Sequence, residues 1–303
     1  MSALAITGGT GFLGSHLIDL AMKRGIPVRA LTRRPQPARE GVTWIEGALD
    51  RPDSLRKLAE GATAVIHVAG VINAPTQAGF DAGNVAGTEA MLAAAEATGA
   101  RRFVHTSSLS AREPALSMYG ASKARSEDVV RASALNWTIV RPPAIYGPRD
   151  REMLELFRMA RHGFVLLPPR GHLSVIAAED LARLLLDLVP AENTTGRLYE
   201  PDDGREGGWS HHDFARALGR AVGRKVVPLS TPAALLRLTS RFEGLFRRGA
   251  AKLTADRVRY FCHPDWVATP EAHPTASLWR AEIPTPDGLA ATAAWYRREG
   301  WLR

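Results

Sequence analysis

Short apolar runs alternate with amphipathic stretches through the first half of the chain. Leu4–Thr7, Val28–Thr32, Val42–Glu46, Ala64–Val68, Phe103–Ser107 and Trp137–Arg141 are rich in apolar and β-branched side chains, a pattern that predicts strands. Between them, residues 11–24, 53–59, 84–98 and 119–132 carry apolar side chains at helical spacing. Strands that alternate with helices through short connections predict an α/β fold, a doubly wound parallel sheet covered on both faces. After Arg141 the rhythm breaks. Pro142, Pro143, Gly147 and Pro148 mark one loop; Pro168, Pro169 and Gly171 mark another. Helices are predicted over Glu152–Arg161 and Glu179–Val189, and Pro-bounded segments follow to Arg303.

The first strand runs into Thr7-Gly8-Gly9-Thr10-Gly11-Phe12-Leu13-Gly14 and then a helix. Glycines at 8, 11 and 14 permit a tight turn, close backbone approach to a pyrophosphate, and close packing of helix on strand. The helix start then aims free N–H groups at the anion. A strand–turn–helix of this kind is the context that turns a glycine triplet into a dinucleotide-binding fingerprint. On this basis residues 1–145, with additional elements from about 172–192, form a dinucleotide-binding domain. Residues 146–171 and 193–303 form mainly a smaller C-terminal lobe for a small-molecule substrate. An acid ending the second strand would select NAD through the ribose 2′-hydroxyl. The stretch Val28–Arg34 has none and ends instead in Arg33 and Arg34. A guanidinium on a 2′-phosphate forms charge-assisted bonds, about 1.5–3 kcal/mol each, so NADP is the expected cofactor and NAD the alternative.

Tyr119 and Lys123 stand four residues apart on one predicted helix, hence on one face. A free phenol titrates near 10, too high for efficient proton exchange at neutral pH. An adjacent ammonium is expected to lower that value and to hold the cofactor ribose. Upstream, the strand Phe103–Ser107 ends beside Ser108, with Ser110 two residues on, where open α/β sheets bind ligands. A hydroxyl there can orient a substrate carbonyl and stabilise charge that develops on it.

Composition changes this picture little. The 303 residues carry 39 Lys+Arg against 31 Asp+Glu, a net charge of +8, and the arginines are dispersed, so no nucleic-acid role is expected. The single cysteine, Cys262, excludes a disulfide within the chain and a Cys-ligated zinc site, which suits a reducing, cytoplasmic setting. No metal site is expected. The N-terminal stretch lacks a basic region before its apolar residues, and the longest apolar runs are interrupted by His67, Gly70, Arg183 and Asp187, so neither signal peptide nor transmembrane segment is expected. His211 and His212 follow Ser210 at a helix start, where capping explains them better than metal binding. Ala233–Phe246 has apolar residues flanked by arginines; packing onto the lobe is the commoner explanation, and lying on a membrane or a greasy substrate the other.

Taken together, the motifs resemble the extended branch of the short-chain dehydrogenase/reductase superfamily, the NAD(P)-dependent epimerases, dehydratases and reductases. The turn at Thr7–Gly14 matches its glycine form, with Phe12 in place of a middle glycine. His67–Gly70 (HVAG), Asn84–Thr88 (NVAGT), Thr106–Ser108, Tyr119/Lys123, Arg141–Pro148 (RPPAIYGP) and the terminal Leu278–Pro284 and Gly288–Arg297 resemble further motifs, in the right order over nearly the whole chain.

The resemblance implies Tyr119 as proton donor or acceptor, Lys123 as its activator and ribose ligand, Ser108 as the carbonyl-orienting hydroxyl ahead of Ser107 and Ser110, and Asn84 in a proton relay. Cofactor contacts are implied at Thr7, Gly8, Gly11, Phe12, Leu13, Gly14, Arg33, Arg34, Leu49, Ala69, Gly70, Thr106, Tyr119, Lys123, Pro142 and Ile145. The chain departs from the branch after the third strand, where Gly47-Ala48 replaces a Gly-Asp pair, so adenine recognition falls to another group such as Asp50. The expected activity is NADP-dependent hydride transfer to or from a carbonyl or secondary alcohol. Two alternatives stand: an NAD-dependent nucleotide-sugar epimerase or dehydratase, and a non-catalytic NAD(P)-sensing protein. Homodimerisation is common in the branch; the sequence itself does not show it.

Overall fold

The structure is a computed structural model and describes residues 3–234 and 255–302. Seven strands form one parallel sheet: β1 (Ala3–Thr7), β2 (Val28–Thr32), β3 (Val42–Glu46), β4 (Ala62–His67), β5 (Arg102–Thr106), β6 (Asn136–Val140) and β11 (Arg197–Tyr199), in the order β11-β6-β5-β4-β1-β2-β3. The strands bury both faces because period-2 alternation puts apolar side chains on each. Ala5, Val65, Phe103 and Ile139 join a core with Leu55, Leu58, Met91, Leu92 and Val130. Leu4, Ile6, Ala64, Ile66, Val104 and Val140 take the other face, equally buried. The first core draws on α2 (Pro52–Ala59), α4 (Gly87–Thr98) and α5 (Met118–Ala132). Helices α1 (Phe12–Lys23) and α7 (Ala178–Asp187) pack on one another.

Strand order reverses at β1: the chain runs outward to β3, then returns to place β4 on β1's other side. The crevice beyond the carboxyl ends of β1 and β4 is therefore the topological switch point, where sheets of this kind bind ligands.

The chain divides into two compact units. The first comprises Met1–Pro142, Ala178–Glu200 and Pro274–Trp279; the second comprises Pro143–Ala177, Pro201–His273 and Arg280–Arg303. The expected domain boundaries shift accordingly. Residues 193–200, expected in the lobe, supply β11 at the edge of the large sheet. They are held there by Thr194, whose hydroxyl accepts from Arg102 Nη2 at 2.8 Å while its carbonyl accepts from Thr138 Oγ1 at 2.7 Å. Residues 172–177, expected with the dinucleotide domain, belong to the second unit. Strands of two or three residues have too few positions to display a period.

In the second unit, β7 (Ala144–Tyr146) pairs with β10 (Val175–Ala177), β8 (Phe164–Leu167) with β13 (Val227–Ser230), and β9 (His172–Leu173) with β12 (Trp209–Ser210) and β14 (Asp265–Trp266). Its core gathers Tyr146, Phe157, Trp209, Phe214, Leu218, Leu289 and Tyr296, drawing in α6 (Leu154–Arg161), α8 (His211–Val222) and the helix Thr285–Arg298. Ser210 caps α8, accepting from Asp213 N at 3.0 Å; His211 Nδ1 bonds Pro169 O at 2.9 Å, and His212 Nε2 bonds Ser230 Oγ at 2.9 Å. Among the described residues no group of three or more metal-ligating side chains forms, and no helix is long and apolar enough to cross a membrane. Most of Ala233–Phe246 lies outside the described residues.

Candidate active site

The glycine turn is built as backbone-only space. Gly8 has φ +73°, and a Cβ on it would lie 2.8 Å from Ala69 N. A Cβ on Gly14 would lie 2.0 Å from Gly8 O, so α1 can start against the turn only with hydrogen at that position. Gly11 N donates to Gly8 O at 2.9 Å, and α1 begins without a side-chain cap. Its first-turn N–H groups therefore have no capping side chain, and they carry the positive end of the helix dipole. Phe12 lies edge-on to His16 at 5.5 Å, and Leu13 is buried. Thr7 joins this turn to β4: its Oγ1 accepts from Ala69 N at 3.1 Å and pairs with His67 Nδ1 at 2.8 Å. These features fit the phosphates of a dinucleotide. At the end of β2, Thr10, Thr32, Arg33, Arg34 and Gln36 line a cavity of about 440 Å³. Both arginines are exposed, and Thr32 occupies the position where an acid would select NAD. Leu49 packs against Gly87, while Asp50 is exposed.

Helix α5 carries Tyr119 and Lys123. Ser117 caps it, accepting from Gly120 N at 2.9 Å, so Tyr119 lies in the first turn and Lys123 one turn on. The Tyr119 side chain hydrogen-bonds Ser108, and its ring lies 6.1 Å from that of Phe80. Of the three candidate serines, Ser108 alone carries this bond. Ser110 is fully buried and donates to Ser108 Oγ at 2.9 Å; Ser107 Oγ turns the other way and donates to Glu127 Oε1 at 2.6 Å. Lys123 Nζ donates to Thr106 O at 2.8 Å, while the Thr106 hydroxyl is buried without a partner. Asn84 lies in a π-turn at Ala82–Ala86, where a plain helix was expected. Its amide donates to Val71 O at 2.9 Å and Ser122 Oγ at 2.8 Å and accepts from Val71 N at 2.6 Å. A Cβ on Gly70 would lie 3.0 Å from Asn84 Oδ1 and 3.9 Å from Lys123 Nζ, so a side chain there would crowd the pair. Pro142 accepts from Leu109 N at 2.9 Å; Ile145 lies on β7, in the second unit.

The electrostatics depart from expectation. Burial raises the Tyr119 phenol above its ordinary value, and the Ser108 hydrogen bond opposes this. Burial lowers Lys123 to about 8, with Glu127 opposing. The tyrosine is thus held protonated, as a proton donor requires, rather than shifted toward phenolate. His67 is pushed to about 3 by burial and then by Lys123; His105 falls in the same direction for the same reasons, and the two rings stack at 5.6 Å. Both are neutral beneath the site.

Glu127 is the residue that motif reading missed. It is fully buried on α5, eight residues beyond Tyr119 and four beyond Lys123. Arg141 donates to both its oxygens at 2.7 Å, Arg131 donates at 2.8 Å, and Ser107 completes the set. Arg141 Nη1 reaches on to Glu200 at 3.2 Å. The i, i+4, i+8 spacing from Tyr119 was the available signal.

A glycine cradle, a Ser–Tyr–Lys cluster and a switch-point crevice on one parallel sheet define a nicotinamide-dependent oxidoreductase of the short-chain dehydrogenase/reductase type. Residues 8–191 match the NAD(P)H-binding family, and the chain belongs to it. The chain is similar to ceramide reductase from Caulobacter vibrioides (strain NA1000 / CB15N), at 38% identity over 99% of this chain and 96% of that one. It is 34% identical to the 4-hydroxy-2-methyl-3-oxo-4-farnesyl-3,4-dihydroquinoline-1-oxide ketoreductase of Stigmatella aurantiaca, over 49% of this chain and 52% of that one. Its fold matches UDP-N-acetylglucosamine 4-epimerase from Bacillus cereus with a TM-score of 0.72 at 18% identity, covering 98% and 97% of the two chains.

Proposed function

We propose that the protein is an NADPH-dependent reductase of a ketone on a ceramide-type lipid. The observation that carries the reading is the placement of Tyr119 beside Ser108 with the buried Lys123 one turn away on the same helix. A bound nicotinamide would supply hydride to the carbonyl carbon. Ser108 orients the carbonyl oxygen and strengthens its hydrogen bond as charge develops there. Tyr119 gives that oxygen its proton, and Lys123 offsets the negative charge left on the phenol. Thr7, Gly8, Gly11, Phe12, Leu13 and Gly14 hold the pyrophosphate by backbone N–H groups and close packing. Arg33 and Arg34 take the 2′-phosphate, and Leu49, Ala69, Gly70, Thr106 and Pro142 line the remaining cofactor path. Asn84, tied to Val71 and Ser122, orders the loop above Lys123.

The lipid class is drawn from the ceramide reductase relative, which matches over almost the full chain. The absence of an acid at the end of β2 separates this reading from an NAD-retaining epimerase. The test follows NADPH oxidation with a long-chain keto-ceramide against a nucleotide-sugar. Turnover of the lipid is expected, with kcat lost by about 10²–10⁴-fold in Tyr119→Phe while NADPH affinity holds. A variant as active as wild type, or turnover only of the nucleotide-sugar, overturns the assignment.

A further inference from the structure

The β8–β13 pair carries an apolar face that stands exposed among the described residues. In a parallel pair, opposed residues project to the same side: Phe164 stands opposite Val227 and Leu166 opposite Leu229. The alternate set points inward, where Val165 and Leu167 are buried in the second unit's core. Outward, Val227 is 59% exposed, Leu166 51% and Leu229 44%. They are three of the five large apolar side chains standing exposed among the described residues, and they are clustered, not scattered.

Cations collect at one end of this face. Because the strands are parallel, both enter from the same end, β8 from the turn after α6 and β13 from the turn after α8. The two turns are tied by Val227 N donating to Gly163 O at 2.9 Å. Arg161, the last residue of α6, and Arg224 and Lys225 in the turn after α8 are all exposed. The acids of α6 and α8, Glu155 and Asp213, are each engaged by an arginine one turn on, Arg158 and Arg216, so the three cations have no acidic partner among the described residues.

We propose that the outward face of the β8–β13 pair, with the cations at its base, seats the protein on an anionic phospholipid bilayer. Leu166, Val227 and Leu229 enter the boundary between acyl chains and headgroups, and Arg161, Arg224 and Lys225 meet the phosphates. A second copy of the chain is a poorer occupant, since it brings the same unpaired cations on a chain of net charge +8. The inference rests on the lipid-ketone reading for its purpose, because such a substrate resides in a bilayer, but the surface can be tested without substrate.

Full-length protein is sedimented with phosphatidylcholine vesicles that contain or lack phosphatidylglycerol. Binding is expected only with the anionic lipid and is expected to weaken as salt rises. Two variants, Leu166→Ser/Leu229→Ser and Arg224→Glu/Lys225→Glu, are each expected to lower it by roughly tenfold or more. All four positions are exposed, so NADPH affinity and the thermal midpoint should hold. The proposal is overturned if wild type stays in the supernatant with both vesicles or if neither variant weakens binding. It is also overturned if Leu166→Ser/Leu229→Ser lowers the thermal midpoint without affecting vesicles, which would mean that the chain covers this face itself. Reduction of a keto-ceramide in detergent without vesicle binding defeats the surface and leaves the enzyme reading intact. Vesicle binding without reduction does the reverse.

Discussion

Lys123 is 3% exposed, and its ammonium is held by one carbonyl, Thr106 O. The charged and titratable groups around it are Tyr119 and Glu127 on α5, His67 on β4 and His105 on β5; both histidines are neutral, so Glu127 alone supports its charge. Its value of about 8 against an ordinary 10.5 means the folded chain binds this proton less tightly than the unfolded chain. Unfolding free energy therefore gains with pH between about 8 and 10.5 from this group. The stability of wild type minus that of Lys123→Met is expected to rise across that window and to be flat below it; a flat difference throughout would mean the lysine is not perturbed. Reduction should fall as pH passes 8, because the neutral amine no longer offsets the phenolate. At the other end of the cofactor, Arg33→Ala/Arg34→Ala should weaken NADPH by roughly 10- to 100-fold and leave NADH nearly unchanged, since only the 2′-phosphate uses these charge-assisted bonds. Equal losses for both cofactors would remove the NADP preference.

At the scale of elements, α5 and β5 are locked in register by a buried acid. Glu127 receives Ser107 from the end of β5 and Arg141 from the residue after β6. Ser107 sits between Thr106, which holds Lys123, and Ser108, which holds Tyr119, so this lock sets the spacing of the three proposed catalytic residues. Ser107→Ala removes the tie while sparing the ion pair. We expect kcat to drop several-fold with NADPH affinity unchanged, and the alkaline limb of the pH profile to shift as Glu127 moves relative to Lys123. Glu127→Ala should instead cost about 1–3 kcal/mol of stability, because Arg141 loses both of its bonds to Glu127 and keeps only Glu200. Chemical denaturation separates the two effects. Six strands of the large sheet were legible because each is an apolar run of five or six residues, whereas three-residue β11 was not, and α5 was legible because its Tyr–Lys spacing is local. Glu127 was not, because an acid on a helix reads as solvent-facing until its distant partners Arg141 and Ser107 are brought to it. The π-turn around Asn84 was hidden for a related reason: the hydrogen bonds to Val71 and Ser122 that accompany it are tertiary.

Over the whole molecule, neither unit is one continuous piece of chain. The first unit takes back Ala178–Glu200 after the chain has left it at Pro142. That return is structural and not decorative. Helix α7 packs on α1, the helix that begins at the glycine turn. β11 covers the edge of β6, and Arg102, buried in β5, donates to Leu188 O at 2.6 and 3.2 Å and to Thr194 Oγ1 at 2.8 Å. A fragment of residues 1–145 would therefore leave the Arg102 guanidinium with only Asn136 O of its acceptors, bare the α1 surface that α7 covers, and expose β6 as an edge. It is expected to be insoluble or to lack the cooperative unfolding and NADPH binding of the full chain, even though it contains the glycine turn, both candidate 2′-phosphate arginines and the Ser108–Tyr119–Lys123 cluster. Measuring NADPH fluorescence and thermal unfolding for this fragment beside the full chain is decisive. If the fragment melts cooperatively and binds NADPH at full strength, the returning segment adds little, and the dinucleotide site is a self-sufficient N-terminal domain after all.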